Sequence, residues 1–200
     1  MKKIIIGLAV VLFVSISFLI ACSGGKSAAE LAIKTADEAV NATKAEAAKI
    51  LPDEVKSLED TLASAKEKVV KGEYKAALEE ATALAGKAKK VLAAAKAKKE
   101  ELTQKWTELS QGVPQMVADL QNRVDVLSKA RKLPANLTAE KFAEAKARLT
   151  SIKDEWIKAE ESFKTGSFAD AVSVASSVKD KAVKAMETLG MSAPAAAPVK

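Results

Sequence analysis

The chain has no histidine and a single cysteine. Without imidazole it has no access to the usual general base near neutral pH, the commonest zinc ligand, or the serine and cysteine triads built on histidine. A single thiol leaves no intramolecular disulfide. Aromatics are only 4 % of the residues, so little is available for a sheet core, and the interior has to come from alanine and leucine. A glycine-rich phosphate loop is also missing. Gly24-Gly25-Lys26-Ser27 has the ending of one but lacks the first glycine at the required spacing and a preceding strand. Adjacent acids such as Glu79-Glu80 and Glu100-Glu101 point about 100° apart on a helix, which suits a solvated face better than a catalytic carboxylate pair. No catalytic residue and no metal ligand is assigned, and a non-enzymatic protein is expected.

What is present begins at the amino terminus. Lys2 and Lys3 precede a 17-residue run, Ile4 to Ile20, that is apolar apart from Gly7, Ser15 and Ser17. Leu19-Ile20-Ala21-Cys22 follows at its end and resembles the bacterial lipobox recognised by the lipoprotein signal peptidase. The resemblance implies that residues 1–21 are a signal peptide read through Leu19, Ile20 and Ala21 and cleaved after Ala21. It further implies a diacylglyceryl thioether on Cys22 and acylation of the new amino terminus, the only prosthetic group expected. Two other readings remain open. The run stands at the lower edge of what spans a bilayer, so an uncleaved anchor is one. An ordinary signal peptide is the other, though Leu19 fits its small-residue cleavage site poorly.

Cleavage would leave 179 residues and lower the formal charge from +6 to +4. Residues 22–27 would then be a lipidated cysteine and tether, carried on the outer face of a bacterial membrane. Ser23 lacks the aspartate that typically retains lipoproteins in the inner membrane of enterobacteria. The expected address is therefore the periplasmic side of the outer membrane in a two-membrane host, and otherwise the outer face of the cytoplasmic membrane.

The rest reads as all-α: an elongated, coiled-coil-like arrangement of about six helices built as two related hairpins. Ser27-Ala-Ala-Glu30 suggests a capping box at a first helix from about Ala28 to Ile50. Pro52-Asp53-Glu54 starts a second, with Val55, Leu58, Leu62, Ala65 and Val69 alternating in threes and fours. After Lys71-Gly72-Glu73 a long helix keeps one heptad frame through Tyr74, Leu78, Ala81, Ala85, Ala88, Leu92, Ala95, Leu102, Trp106 and Leu109, with Lys99 breaking it. Gly112-Val113-Pro114 predicts a stop or a kink, although the phase survives it through Met116, Leu120 and Leu127. Thr138 caps a next helix carrying Phe142, Ala145, Leu149, Ile152, Trp156, Ala159 and Phe163. Ser167 with Asp170 suggests the cap of a last one, carrying Phe168, Ala171, Ala175, Val178, Ala182, Ala185 and Leu189. The expected division is a first helical unit at 28–112, a second at 113–190, and an Ala/Pro-rich tail at 191–200 of the composition that stays disordered.

A shift of 94 residues lays Leu58, Leu62, Ala65, Val69, Gly72, Tyr74 and Ala77 on Ile152, Trp156, Ala159, Phe163, Gly166, Phe168 and Ala171. The shared content is a packing pattern and a turn: a glycine free to take positive φ, an aromatic two residues on, and small residues where helices approach. Gly72-x-Tyr74-x-x-Ala77 and Gly166-x-Phe168-x-x-Ala171 resemble the inter-helix turn of tetratricopeptide repeats over some 20 residues in each half. The period of 94 differs from that family's 34, and Ala81 and Ala175 stand where it keeps an aromatic. A closer resemblance is to uncharacterised bacterial lipoproteins in which a lipobox precedes Ala/Lys/Glu-rich helical hairpins. There a Pro-Asp/Glu-Glu helix start precedes a Gly-x-Tyr-x-x-Ala turn. That resemblance implies a fold and an address but no reaction.

Lys87, Lys89, Lys90, Lys96, Lys98 and Lys99 form the densest positive stretch. They are candidates for binding phospholipid, lipopolysaccharide or cell-wall anions, against the simpler reading of an Ala/Lys helix kept soluble by its charges, since helical angles scatter them around the axis. Nucleic acid is not expected, because aromatics do not interleave with the lysines and the leader exports the chain. The leading expectation is an envelope lipoprotein anchored through Cys22, with a structural or adaptor role toward another envelope protein or the cell wall. The alternatives are a holdase-type chaperone and a peptidoglycan tether.

Overall fold

The computed structural model describes residues 25–192. The expected signal segment, Cys22 and most of the expected tail lie outside the described residues. Among the described residues five α-helices follow one another: α1 (Lys26–Ala47), α2 (Pro52–Val70), α3 (Tyr74–Lys129), α4 (Ala139–Lys164) and α5 (Phe168–Thr188). No strand occurs among the described residues.

The all-α class holds, and the expected six helices become five because α3 runs through Gly112-Val113-Pro114. Pro114 has no N–H to offer the Ser110 carbonyl, and an internal proline costs about 3 kcal/mol. Against that, Val113, Met116 and Leu120 are at most 4 % exposed, and burying each such side chain is worth ~1.5–3 kcal/mol. The seam outweighs the breaker, so the chain continues.

The chain divides into two compact units, one ending at Ala95 and one beginning at Lys96, so the division falls inside α3 and not at Gly112. In the first, α1, α2 and the start of α3 enclose Val40, Val55, Leu58, Leu62, Ala65, Leu84 and Val91. Lys44 pairs with Glu59 at 2.5 Å and Lys66 with Asp37. Moving seven residues up α1 thus moves seven down α2, which makes them antiparallel. Thr43 is buried among these apolar groups with its hydroxyl proton shared between two carbonyls. Its O–H lies 2.8 Å from the Ala39 carbonyl and 3.1 Å from the Ala88 carbonyl of α3, so a polar group is carried in the core without the cost of an unmade bond.

In the second unit the rest of α3 packs with α4 and α5 around Val113, Leu120, Val124, Leu149, Ile152, Val178 and Leu189. Every residue expected on the α5 seam from Ala171 to Leu189 is buried. In α3 the inward face is broader than expected. Ala77, Leu84 and Val91 are buried where Leu78, Ala85 and Leu92 are only half-buried.

Helix ends depart from expectation in two places. The Ser27-Glu30 box does not form: α1 starts two residues earlier, at Lys26, with Gly25 at the cap and no side-chain bond. Ser167 holds the cap position of α5 but its side chain makes no cap bond. Thr138 behaves as expected, accepting from the Lys141 N–H at 3.3 Å.

Candidate functional site

Cys22, the expected lipidation residue, and Leu19, Ile20 and Ala21, the expected recognition residues, lie outside the described residues, which begin three positions later at Gly25. The start of the described chain is packed against the α2–α3 turn: a Cβ placed on Gly25 would stand 3.6 Å from Tyr74 Cβ. Tyr74 is half-buried and Ala77 is fully buried below it.

The two turn glycines have matching backbones, Gly72 at φ 79° and Gly166 at φ 80°. Their hydrogen bonds match under the 94-residue shift. Gly72 N–H donates to Val69 O and Glu73 N–H to Lys68 O, as Gly166 N–H does to Phe163 O and Ser167 N–H to Ser162 O. This is the glycine-terminated helix end in which the last carbonyls are satisfied by the outgoing chain. The aromatics after the two turns have different neighbours. Tyr74 lies near Gly25 in the first unit, while Phe168 lies edge-on to Phe163 at 5.1 Å in the second. Phe163 in turn stacks on Trp106 at 4.5 Å, and Trp106 on Trp156 at 5.5 Å with planes 3° apart. Lys99, the residue that broke the heptad frame, sets its ammonium 5.4 Å from the Phe168 ring centroid.

The candidate anion-binding lysines fall into separate local contacts. In the first unit Lys87 donates to Ser57 Oγ at 3.2 Å, and Lys89 and Lys90 are exposed. In the second, Lys96 is exposed and Lys98 pairs with Glu101 at 2.9 Å. Glu101 is held from the other side by Lys105 at 2.6 Å. Hydrogen bonds from Lys105 and then Lys98 pull the Glu101 carboxyl down to about 2. Glu155 is also lowered, chiefly by the Lys181 ammonium at 2.6 Å from α5.

Two open grooves escaped the sequence reading, because each depends on which helices meet. One, in the first unit, is polar, with Ser57, Thr61 and Ser64 facing Glu80. Glu80 accepts from both Ser64 and Lys68, so its charge is already met. The other, in the second unit, is apolar, formed by Pro114, Val117 and Ala118 of α3 with Trp156 and Ile157 of α4. Among the described residues no group of three or more acidic or cysteine side chains is placed to hold a metal ion. No described helix is long and apolar enough to cross a membrane. Comparison with family models, with curated proteins and with solved structures matched nothing.

Proposed function

We propose that this protein is a lipid-anchored envelope lipoprotein with a non-enzymatic structural or adaptor role. The observation that carries the reading is the position of the sole cysteine. Cys22 closes an apolar leader and stands three residues ahead of Gly25, the first described residue. A thiol so placed has attachment as its ready chemistry, and the helices behind it offer surface. Acyl chains on Cys22 would hold the protein to a bilayer, and more than one chain is needed for stable anchoring. In a two-membrane host the absence of aspartate at residue 23 supports the outer membrane, periplasmic side.

Crosslinking of intact cells followed by recovery of the protein tests the adaptor role. One recurrent envelope protein, retained on wild type and lost on Cys22→Ser, is the expected result. Recovery of peptidoglycan fragments alone would replace the adaptor with a cell-wall tether.

A second reading, a holdase, is favoured by one feature, the apolar groove between α3 and α4 with Ile157 60 % exposed at its rim. It requires that the delipidated protein suppress aggregation of an unfolded client. Unchanged aggregation at equimolar protein would remove it.

A further inference from the structure

Large apolar side chains are exposed at only four places among the described residues: Leu31, Val70, Val126 and Ile157. Two of them, Leu31 and Val70, belong to one end of the first unit. Val70 is the last residue of α2 and, at 88 %, the most exposed of the four. The antiparallel register set by Asp37–Lys66 and Lys44–Glu59 puts Val70 level with Ile33, within the opening turns of α1. Leu31, 52 % exposed, is in those same turns. Tyr74 opens α3 four residues after Val70, and a Cβ placed on Gly25 would stand 3.6 Å from its Cβ. The start of α1, the end of α2 and the start of α3 therefore share one end.

Cys22 precedes Gly25 by three residues, and three residues reach at most ~11 Å when fully extended. We infer that this end of the first unit, which carries Val70, Tyr74 and Leu31, rests in the headgroup region of the bilayer that holds the Cys22 acyl chains. The inference rests on the lipidation proposed above and adds a second, non-covalent contact to it.

The chemistry of the end fits that occupant. An isolated valine projecting at a helix terminus is poorly placed in water and well placed at the acyl boundary. A half-buried tyrosine next to it suits an interface with one apolar and one wet side. Lys26, Lys71 and Lys75 surround them and can keep their ammonium groups in the headgroup layer while their stems lie along apolar surface. Glu30, Glu67 and Glu73 balance those three charges, and Lys71 is held by Glu67 at 2.7 Å. The contact accordingly depends on the apolar side chains more than on anionic lipid.

The test uses the full lipidated protein in phosphatidylethanolamine–phosphatidylglycerol vesicles, with Val70→Cys carrying a nitroxide. Lipidation of Cys22 leaves the introduced thiol as the one to label, and a side chain so exposed can be changed without loss of fold, which circular dichroism verifies. Val126→Cys in the second unit is the aqueous control, and floated vesicles report anchoring separately. The expected result is a severalfold higher ratio of oxygen to water-soluble nickel accessibility at residue 70 than at residue 126. Equal ratios on vesicle-bound protein would overturn the contact while leaving the anchor standing. Protein that fails to float, with no lipid mass on its Cys22 peptide, would overturn the anchor and the contact with it.

Discussion

Gly72 and Gly166, 94 positions apart, share a left-handed backbone, φ 79° and 80°, and the same pattern of outgoing hydrogen bonds. Nothing lies within 4 Å of a Cβ added at either. Substitution there is opposed by the backbone alone. Gly72→Ala and Gly166→Ala should each destabilise by about 1–2 kcal/mol, the cost of a left-handed L-residue. Gly72→Asn should cost less, since asparagine tolerates that region. Urea unfolding of the three variants checks the order. Equal loss for alanine and asparagine would mean that contacts, not φ, decide the turn.

Pro114 has the opposite sign. It sits inside α3, and its ring denies the Ser110 carbonyl a helical donor. Pro114→Ala should therefore stabilise the protein, by up to ~3 kcal/mol, with no change of helix content by circular dichroism. A loss of stability would show that the proline's own packing against the apolar groove matters more than the missing bond.

Trp106 lies between Trp156 and Phe163 in the aromatic stack of the second unit. Trp106→Ala should cost about 3 kcal/mol, the low end for such truncations because the ring is only half-buried. It should also remove the near-ultraviolet circular dichroism arising from the parallel indoles. Trp106→Phe should retain most of the stability.

The carboxyl of Glu101, with Lys105 and Lys98 on either side, should titrate at about 2 when followed by NMR. Its folded value is depressed, so the unfolded chain binds the proton more readily. The contribution of this group to stability is therefore present above the ordinary carboxylate range and is lost as pH falls through it toward 2. The pair is exposed, so the effect on stability is small. Salt should move the titration back toward its ordinary value, and Lys105→Met should move it further than Lys98→Met.

Much of this fold is legible in residue spacing, because α4 and α5 carry large apolar residues at one helical phase. Ala145, Leu149, Ile152, Trp156 and Ala159 have neighbours polar enough to leave a single inward face. α3 is harder to read. Its alanines supply apolar positions at several phases at once, and only packing decides that Leu84 and Val91 turn inward more fully than Leu78 and Leu92. Local signals also lose to tertiary ones at Pro114, where the buried seam overrides a helix breaker, and at Ser27, where the helix starts two residues too early for its box. The exposure of Val70 leaves a faint trace in sequence, an apolar residue one position off the α2 seam just before the turn. Its place at the end where α1 starts and α2 finishes needs two helices brought together, which spacing along one helix does not encode.

Everything proposed for this protein depends on what Cys22 carries. Mass analysis of the amino-terminal peptide of the protein isolated from its native membrane reads that directly. The expected peptide begins at Cys22 and bears a diacylglyceryl thioether with an acylated amine. A peptide that begins at Met1, or one with a free Cys22 thiol, would contradict the anchor and leave the helices without an address.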